Sequence, residues 1–295
     1  MIKIKNLTQT YPSGKGVFDV NFEVKQGEVF GYLGPNGAGK TTTIRNILGF
    51  SNADKGSVTI NNKNTRLESA ELQKIIGYLP GEMAFFDNMT GTEFLDFLCN
   101  MRGLKDFSKR NYLIEMFEFD PNSSIKKMSK GMKQKVGIVA AFMHDPQILV
   151  LDEPTSGLDP LMQNKFMKLI LDEKKKGKTI LMSSHIFEEV DRVCDRVGII
   201  RDGKIVAIEK ISDLKAMKKE VFTLKTSDAN DYTLLSESEL EVQKIDDTTF
   251  EVTMTKNYTH LFSVLAKCHI TSFESKEQSL EDLFMKYYGK AVSNE

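Results

Sequence analysis

Gly34-Pro35-Asn36-Gly37-Ala38-Gly39-Lys40-Thr41-Thr42 decides the reading of this chain. It lies between an apolar segment, Glu28-Val29-Phe30-Gly31-Tyr32-Leu33, which reads as a strand, and Thr42-Thr43-Ile44-Arg45-Asn46-Ile47-Leu48, which reads as a helix stopped by Gly49. Glycines at this spacing let the backbone curl until successive N–H groups point inward at a polyphosphate, and the helix that follows adds its positive N-terminal end. Lys40 then reaches the β- and γ-phosphates, and the Thr41 hydroxyl can hold Mg²⁺. Gly34, Asn36, Gly37, Ala38, Gly39, Lys40, Thr41 and Thr42 are therefore the first candidate binding residues, and ATP is the expected ligand.

Around this loop, strand-like segments at 29–33, 75–79, 148–151, 179–182 and 197–200 alternate with helical patterns, the signature of a mostly parallel sheet covered by helices. Between Thr90 and Met143 the apolar residues recur at helical spacing instead, as in Phe94, Leu95, Phe97 and Leu98, which suggests a helical insertion at about 88–145. Arg201-Asp202-Gly203-Lys204 reads as an Asp-Gly hairpin. After Ile211 short alternating strands at 221–224, 240–242 and 250–254 and a helix near 259–266 suggest a small α+β appendage. A last helix, with Ser279 as N-cap and Leu280, Leu283, Phe284, Tyr287 and Tyr288 on one face, would close it. The expected domains are 1–210, an α/β nucleotide-binding core, and 211–295.

The opening Met1-Ile2-Lys3-Ile4-Lys5-Asn6-Leu7 alternates like an edge strand and lacks the apolar block of a signal peptide, so a cytoplasmic start is expected. The apolar stretch from Val136 to Met143 is cut by His144-Asp145-Pro146, far short of the ~20 residues that span a bilayer, so a membrane role would fall to a partner chain. Lys and Arg total 40 against 41 Asp and Glu, leaving no basic field for nucleic acid. Cys99, Cys194 and Cys268 form no CxxC pair and are expected as reduced, buried thiols, and Lys174-Lys175-Lys176 as a solvated helix end.

The second half of the expected site is Ile148-Leu149-Val150-Leu151-Asp152-Glu153, an apolar strand that delivers two carboxylates at its C-terminal end, where ligands sit in such sheets. Asp152 is placed to hold Mg²⁺, and Glu153 to polarise a water for in-line attack on the γ-phosphorus.

With these two motifs in place, the chain resembles the ATP-binding subunit of ABC transporters from Met1 to about Ile208. Lys127-Met128-Ser129-Lys130-Gly131-Met132-Lys133-Gln134 stands where that family carries its signature, which implies that Ser129 and Gly131 grip the γ-phosphate held by an opposite subunit. The resemblance further implies that Ser156-Gly157-Leu158-Asp159 couples two sites, that Ser184-His185 is the switch histidine, and that Tyr11 stacks on adenine. Taken singly, each has a plainer reading as a cap or turn; their joint order is what carries weight. Two positions depart from the pattern. Pro80-Gly81-Glu82 replaces the usual glutamine, so that residue's Mg²⁺ and water contact is either missing or supplied by Glu82, and the signature has Lys130 and Met132 where glycine and glutamine are usual. Lys130 could add positive charge near the opposite subunit's phosphate, or be a solvated lysine.

These departures, with Ser279-Leu280-Glu281-Asp282-Leu283-Phe284 near the end, resemble the bacterial type-2 exporter group that handles antibiotics and peptides. The implied protein dimerises around two ATP, as a homodimer or with a paralogous ATPase. It drives export of a small molecule or peptide through a separate membrane permease, from the cytoplasmic face of the membrane. The alternatives are a soluble ATPase of the same family acting on ribosomes or DNA, and a slow-hydrolysing, nucleotide-responsive binding module. A single phosphate loop without heptads stands against the first, and intact Lys40, Asp152, Glu153 and His185 against the second.

Overall fold

Val29–Leu33 and Ile148–Asp152 are buried at every position, and that alone places both in the middle of a sheet covered on two faces. The computed structural model describes residues 1–86, 88–216, 220–228, 231–238, 240–254 and 258–277. The chain divides into two compact units, Met1–Ile211 and Ser212–Glu295.

The first unit opens with β1 (Ile2–Thr10), β2 (Gly16–Val24) and β3 (Val29–Leu33), then α1 (Lys40–Ile47), β4 (Lys55–Ile60), β5 (Lys63–Asn64), α2 (Ser69–Leu72) and β6 (Ile76–Leu79). A helical section follows, α3 (Gly91–Arg102), α4 (Ser108–Phe117) and α5 (Lys130–Phe142). The unit continues with β7 (Ile148–Asp152), α6 (Pro160–Lys175), β8 (Thr179–Ser184), α7 (Phe187–Val193), β9 (Arg196–Arg201) and β10 (Lys204–Lys210). α3 starts with a reciprocal cap, Thr90 with Glu93, and ends at Gly103, whose left-handed backbone stops it.

The main sheet has the order β10-β9-β3-β8-β7-β6, parallel from β9 to β6, with β10 added antiparallel through the Asp202-Gly203 turn. Both turn residues have positive φ, as a tight hairpin of this hand requires. A second, antiparallel sheet runs β2-β1-β4-β5. Its apolar face (Ile2, Ile4, Val20, Phe22) shares one core with Phe30, Tyr32, Val150 and Leu181 of the main sheet and with Ile44, Ile47 and Leu48 of α1. α1 is thus fixed by a common core, and with it the loop that precedes it.

Three expectations are corrected. β1 is not an edge strand: it pairs with β2 on one side and β4 on the other, and alternation reports which faces are wet, not which edges are paired. Cys268 is only half-buried, whereas Cys99 and Cys194 are buried and all three are free. Within the lysine run, Lys175 and Lys176 are exposed as a solvated end should be, whereas Lys174 is half-buried and pairs with Asp195 at 2.6 Å.

After α8 (Ile211–Ala216) come β11 (Glu220–Thr226), α9 (Asp231–Ser236), β12 (Glu241–Lys244), β13 (Thr249–Met254), α10 (Tyr258–Leu265) and β14 (Ile270–Glu277). Their sheet is antiparallel in the order β12-β13-β11-β14, a β-α-β-β-α-β split arrangement. Phe222, Leu224, Phe250 and Val252 of the sheet close over Leu235 of α9 and Leu261 and Leu265 of α10, giving this unit a core of its own. The helix expected from Ser279 onward, with Leu280, Leu283, Phe284, Tyr287 and Tyr288, lies outside the described residues.

Candidate functional site

Three neighbouring strands of the main sheet end side by side. Leu33 is level with Ser184, and Asp152 with Ser183, so β3 runs into residues 34–39, β7 into Glu153 and β8 into His185 at the same C-terminal edge. Residues 34–39 turn against neighbouring backbone so closely that a Cβ at Gly34 would lie 2.3 Å from the Ile200 carbonyl oxygen. Gly39, the N-cap of α1, has φ 107, a backbone that side-chain-bearing residues seldom take.

Lys40 is buried, and its Nζ donates to the carbonyls of Gly34 (2.7 Å) and Pro35 (3.1 Å). The same ammonium lies 3.2 Å from Glu153 Oε1. Thr41 Oγ1 donates to Asp152 Oδ2 at 2.8 Å, and the Ser183 hydroxyl donates to Oδ1 of the same carboxylate. Ser183 Oγ also accepts the Glu153 N–H at 3.0 Å. Glu153 has φ 47, a left-handed conformation that costs a residue with a Cβ on the order of 1 kcal/mol or more. There its Oε2 stands 3.5 Å from His185 Nδ1, on a ring that is about half exposed. On β6, burial first and the Asp152 charge second push the Tyr78 phenol up to about 12.

A cavity of about 350 Å³ opens on this constellation. It is walled by Asn36, Gly37, Gly39, Lys40, Thr41, Thr42 and Glu153, and on the far side by Tyr11, Ser13, Lys15 and Gly16 from the turn between β1 and β2. Of the sequence-nominated residues, Gly34 and Ala38 shape the loop from behind, Ala38 by accepting the Gly203 N–H at 3.1 Å. Asp152 stands behind Thr41 and His185 beside Glu153. Ser129, Gly131 and Asp159 do not line the cavity: Ser129 caps α5 through the Met132 N–H (3.2 Å), and Asp159 caps α6 through the Met162 N–H (2.9 Å). Gly131 packs instead against the Gly157 carbonyl. Lys130 Nζ is engaged too, donating to Ser156 Oγ at 2.9 Å.

Glu82 is exposed and is not among the residues that wall the cavity. The position that faces Asp152 from that segment is Gly81, where a Cβ would sit 3.5 Å from the Asp152 carbonyl oxygen and 3.6 Å from its Oδ2. Sequence reasoning missed Ser13, Lys15 and Gly16. The available signal was the turn composition Pro12-Ser13-Gly14-Lys15-Gly16, a glycine-rich bend carrying a cation next to Tyr11.

A phosphate loop, an acidic strand end and a histidine at adjoining strands define a nucleotide-binding ATPase core, and the comparisons agree. Residues 17–156 match the family model described as ABC transporter. The chain is 34% identical to the bacitracin transport ATP-binding protein BcrA of Bacillus licheniformis, over 98% of this chain and 97% of that one. It is 32% identical to the linearmycin resistance ATP-binding protein LnrL of Bacillus subtilis (strain 168), over 99% of each. Among solved structures, the dimeric post-hydrolysis state of the ATP-binding cassette MJ0796 bound to ADP and Pi superposes with a TM-score of 0.65. It is 28% identical, covering 72% of this chain and 99% of that one. The chain therefore belongs to the ABC transporter family, as an ATP-binding subunit with ATPase activity. Among the described residues no helix is long and apolar enough to cross a membrane.

Proposed function

We propose that this subunit hydrolyses ATP as one half of a dimer that powers export, through a separate permease, of an antibiotic-like small molecule or peptide. The observation that carries the reading is the convergence of Lys40, Glu153 and His185 within 3.5 Å links at the mouth of one cavity, with Thr41 on Asp152 behind them. In this reading the loop N–H groups and Lys40 cradle the phosphates, and Tyr11 at the far wall stacks on adenine. Glu153 orients or deprotonates the attacking water, and His185 contacts the γ-phosphate. Lys40 holds Glu153 at 3.2 Å until a phosphate supplies a better partner for the ammonium.

Thr41 Oγ1 and Asp152 Oδ2, hard oxygen donors 2.8 Å apart, fit Mg²⁺. When bound there, the ion would neutralise charge on the phosphate oxygens. Ser129 and Gly131, at the start of α5 and away from this chain's own cavity, are assigned to the phosphate of a second subunit. Asp159 is assigned to the loop between the two sites. The names of BcrA and LnrL, a transport and a resistance protein, support the antibiotic and peptide class.

The permease would place this chain at the cytoplasmic face of the membrane. For its docking surface we assign the apolar residues that follow β6. Phe86, Phe97 and Met101 are exposed, and beside them a cavity of about 620 Å³ is walled by Leu98, Met101 and Leu104 with Lys74, Arg102 and His144. An amphipathic helix fits such a groove.

The test is ATP-dependent dimerisation of Glu153→Gln by size-exclusion chromatography with light scattering, beside steady-state turnover. We expect turnover to fall by a factor of 100 or more and the variant to run as a dimer with ATP. A monomeric Glu153→Gln that still turns over ATP at the wild-type rate would overturn the assignment.

A further inference from the structure

Glu189 was singled out by no motif, yet it joins the two loops that carry the reacting groups. It lies in the first turn of α7, 7% exposed. Its two carboxylate oxygens are used separately. Oε1 accepts the Thr155 hydroxyl, and Oε2 accepts the Ser184 hydroxyl at 2.6 Å. Thr155 is two residues beyond Glu153, and Ser184 immediately precedes His185. Both hydroxyl residues are themselves buried, at 4% and 2% exposure. Ser184 has a single proton to give. The shorter contact sends it to Glu189, while its oxygen accepts the Ile186 N–H at 2.9 Å and so pins the backbone on the other side of His185.

We propose that Glu189 is a positioning residue for hydrolysis. Through Thr155 and Ser184 it fixes the Glu153 and His185 side chains relative to one another. The inference rests on the reading of those two as the hydrolytic pair. A single buried carboxylate with one hydroxyl on each oxygen sets a distance between two loops that are not neighbours in sequence, and hydrogen bonds to a charged acceptor are the strong ones. Removing the carboxylate leaves two buried hydroxyls without their acceptor, and each loop is then free to settle elsewhere. The phosphate loop would feel little of this, because Lys40 keeps the Gly34 and Pro35 carbonyls and Thr41 keeps Asp152, contacts that do not run through Glu153. Glu189 should therefore act on the chemical step and spare nucleotide affinity.

The experiment is steady-state ATPase kinetics on the full chain for Glu189→Ala, Glu189→Gln, Glu153→Gln and the Glu153→Gln/Glu189→Ala pair. Direct binding of a fluorescent N-methylanthraniloyl ATP is measured alongside. Misplacement of a reacting group by about 1 Å costs up to a hundredfold, so kcat in Glu189→Ala is expected to fall roughly 10- to 100-fold, with the analogue's Kd changed by less than about twofold. Glu189→Gln keeps the shape, accepts one hydroxyl and donates to the other, and should recover most of the rate. The double variant should lose less than the two single losses combined, because one of the two positioned groups is already gone.

Wild-type kcat in Glu189→Ala overturns the proposal, as does a loss of kcat matched by an equal loss of nucleotide affinity, or additive loss in the double variant. If Glu189→Ala does not fold, Thr155→Val and Ser184→Ala, each of which removes one of the two hydroxyls on Glu189, carry the same split between kcat and Kd. Normal turnover in Glu153→Gln would defeat the hydrolytic assignment itself. An inactive Glu153→Gln beside a fully active Glu189→Ala defeats only the positioning role.

Discussion

Gly34 and Gly81 both adjoin the site and differ in what a side chain there would meet. At Gly34 a methyl group would meet the Ile200 carbonyl oxygen at 2.3 Å, a backbone atom that cannot swing away. At Gly81 the nearest atom, the Asp152 carbonyl oxygen, is at 3.5 Å, an ordinary contact. Gly34→Ala should therefore lower unfolding free energy by about 1–3 kcal/mol in urea titration. Gly81→Ala should stay within about 0.5 kcal/mol of the parent. Equal stability of the two variants would refute the close-approach argument. These cases also mark what was legible residue by residue. Lys40, Thr41, Asp152 and Glu153 could be read because a short motif fixes their geometry, and the structure brings them together. Glu82 was nominated by elimination, from a missing glutamine, and the residue beside it, Gly81, is the one whose backbone lies against Asp152. Lys15 and Glu189 carry no motif, since their proximity depends on elements far away in sequence.

At the scale of elements, α5 and the loop after β7 are tied at three points. Gln134, 2% exposed, donates through Nε2 to the Pro154 carbonyl at 2.6 Å. Gly131 packs against the Gly157 carbonyl, and the Lys130 methylenes cross Gly157 to bring Nζ to Ser156 Oγ at 2.9 Å. The expectation of extra positive charge aimed at a partner's phosphate thus meets a lysine already engaged within its own chain. Lys130→Met keeps the methylenes over Gly157 and removes the ammonium. An exposed contact of this kind is worth about 0.5–1 kcal/mol, so the unfolding free energy in urea titration is expected to fall by about that much. Ser156→Ala should produce a similar loss, and the pair no more than either alone; a strictly additive double-mutant cycle would show that the contact carries no coupling. The five parallel strands of the main sheet were legible because each is a largely buried apolar run, and β10, half-exposed, was legible from its Asp-Gly turn. The antiparallel sheet was mostly not: β2 is broken by a register shift and by Asp19 at φ 52, which spoils the alternation that Val17, Val20 and Phe22 would otherwise announce. For β1 the alternation was visible but silent about its second partner.

At the scale of the whole chain, each unit closes its own core, and stability should respond to acid through groups that can be named in the first. His144 precedes β7 and lines the groove assigned to the permease. Burial first, then the Arg102 charge, lower its pKa from 6.5 to about 4, against the opposing pull of the Ile76 carbonyl on Nε2 at 3.1 Å. Its Nδ1 is buried without a hydrogen-bond partner, so the folded state holds the ring neutral. Between pH 6.5 and 4 the unfolded chain binds a proton that the folded chain refuses. Stability is thus full above about 6.5 and is lost progressively as the pH falls toward 4, by at most about 3 kcal/mol from this group. Below that, Asp145 takes over: Lys178 first and Lys109 after it hold its carboxyl at about 2, and its contribution, present above 3.8, disappears as the pH falls through 2. Calorimetry of the full chain at pH 7.5 and pH 5 should show the transition of the Met1–Ile211 unit moving to lower temperature on acidification. His144→Gln, which can still donate to the Ile76 carbonyl, should move much less between the same two pH values. An identical acid shift in that variant would mean that His144 is not the group responsible. It would also mean that the groove, already walled by the Lys74 and Arg102 charges, tolerates a buried imidazolium as well.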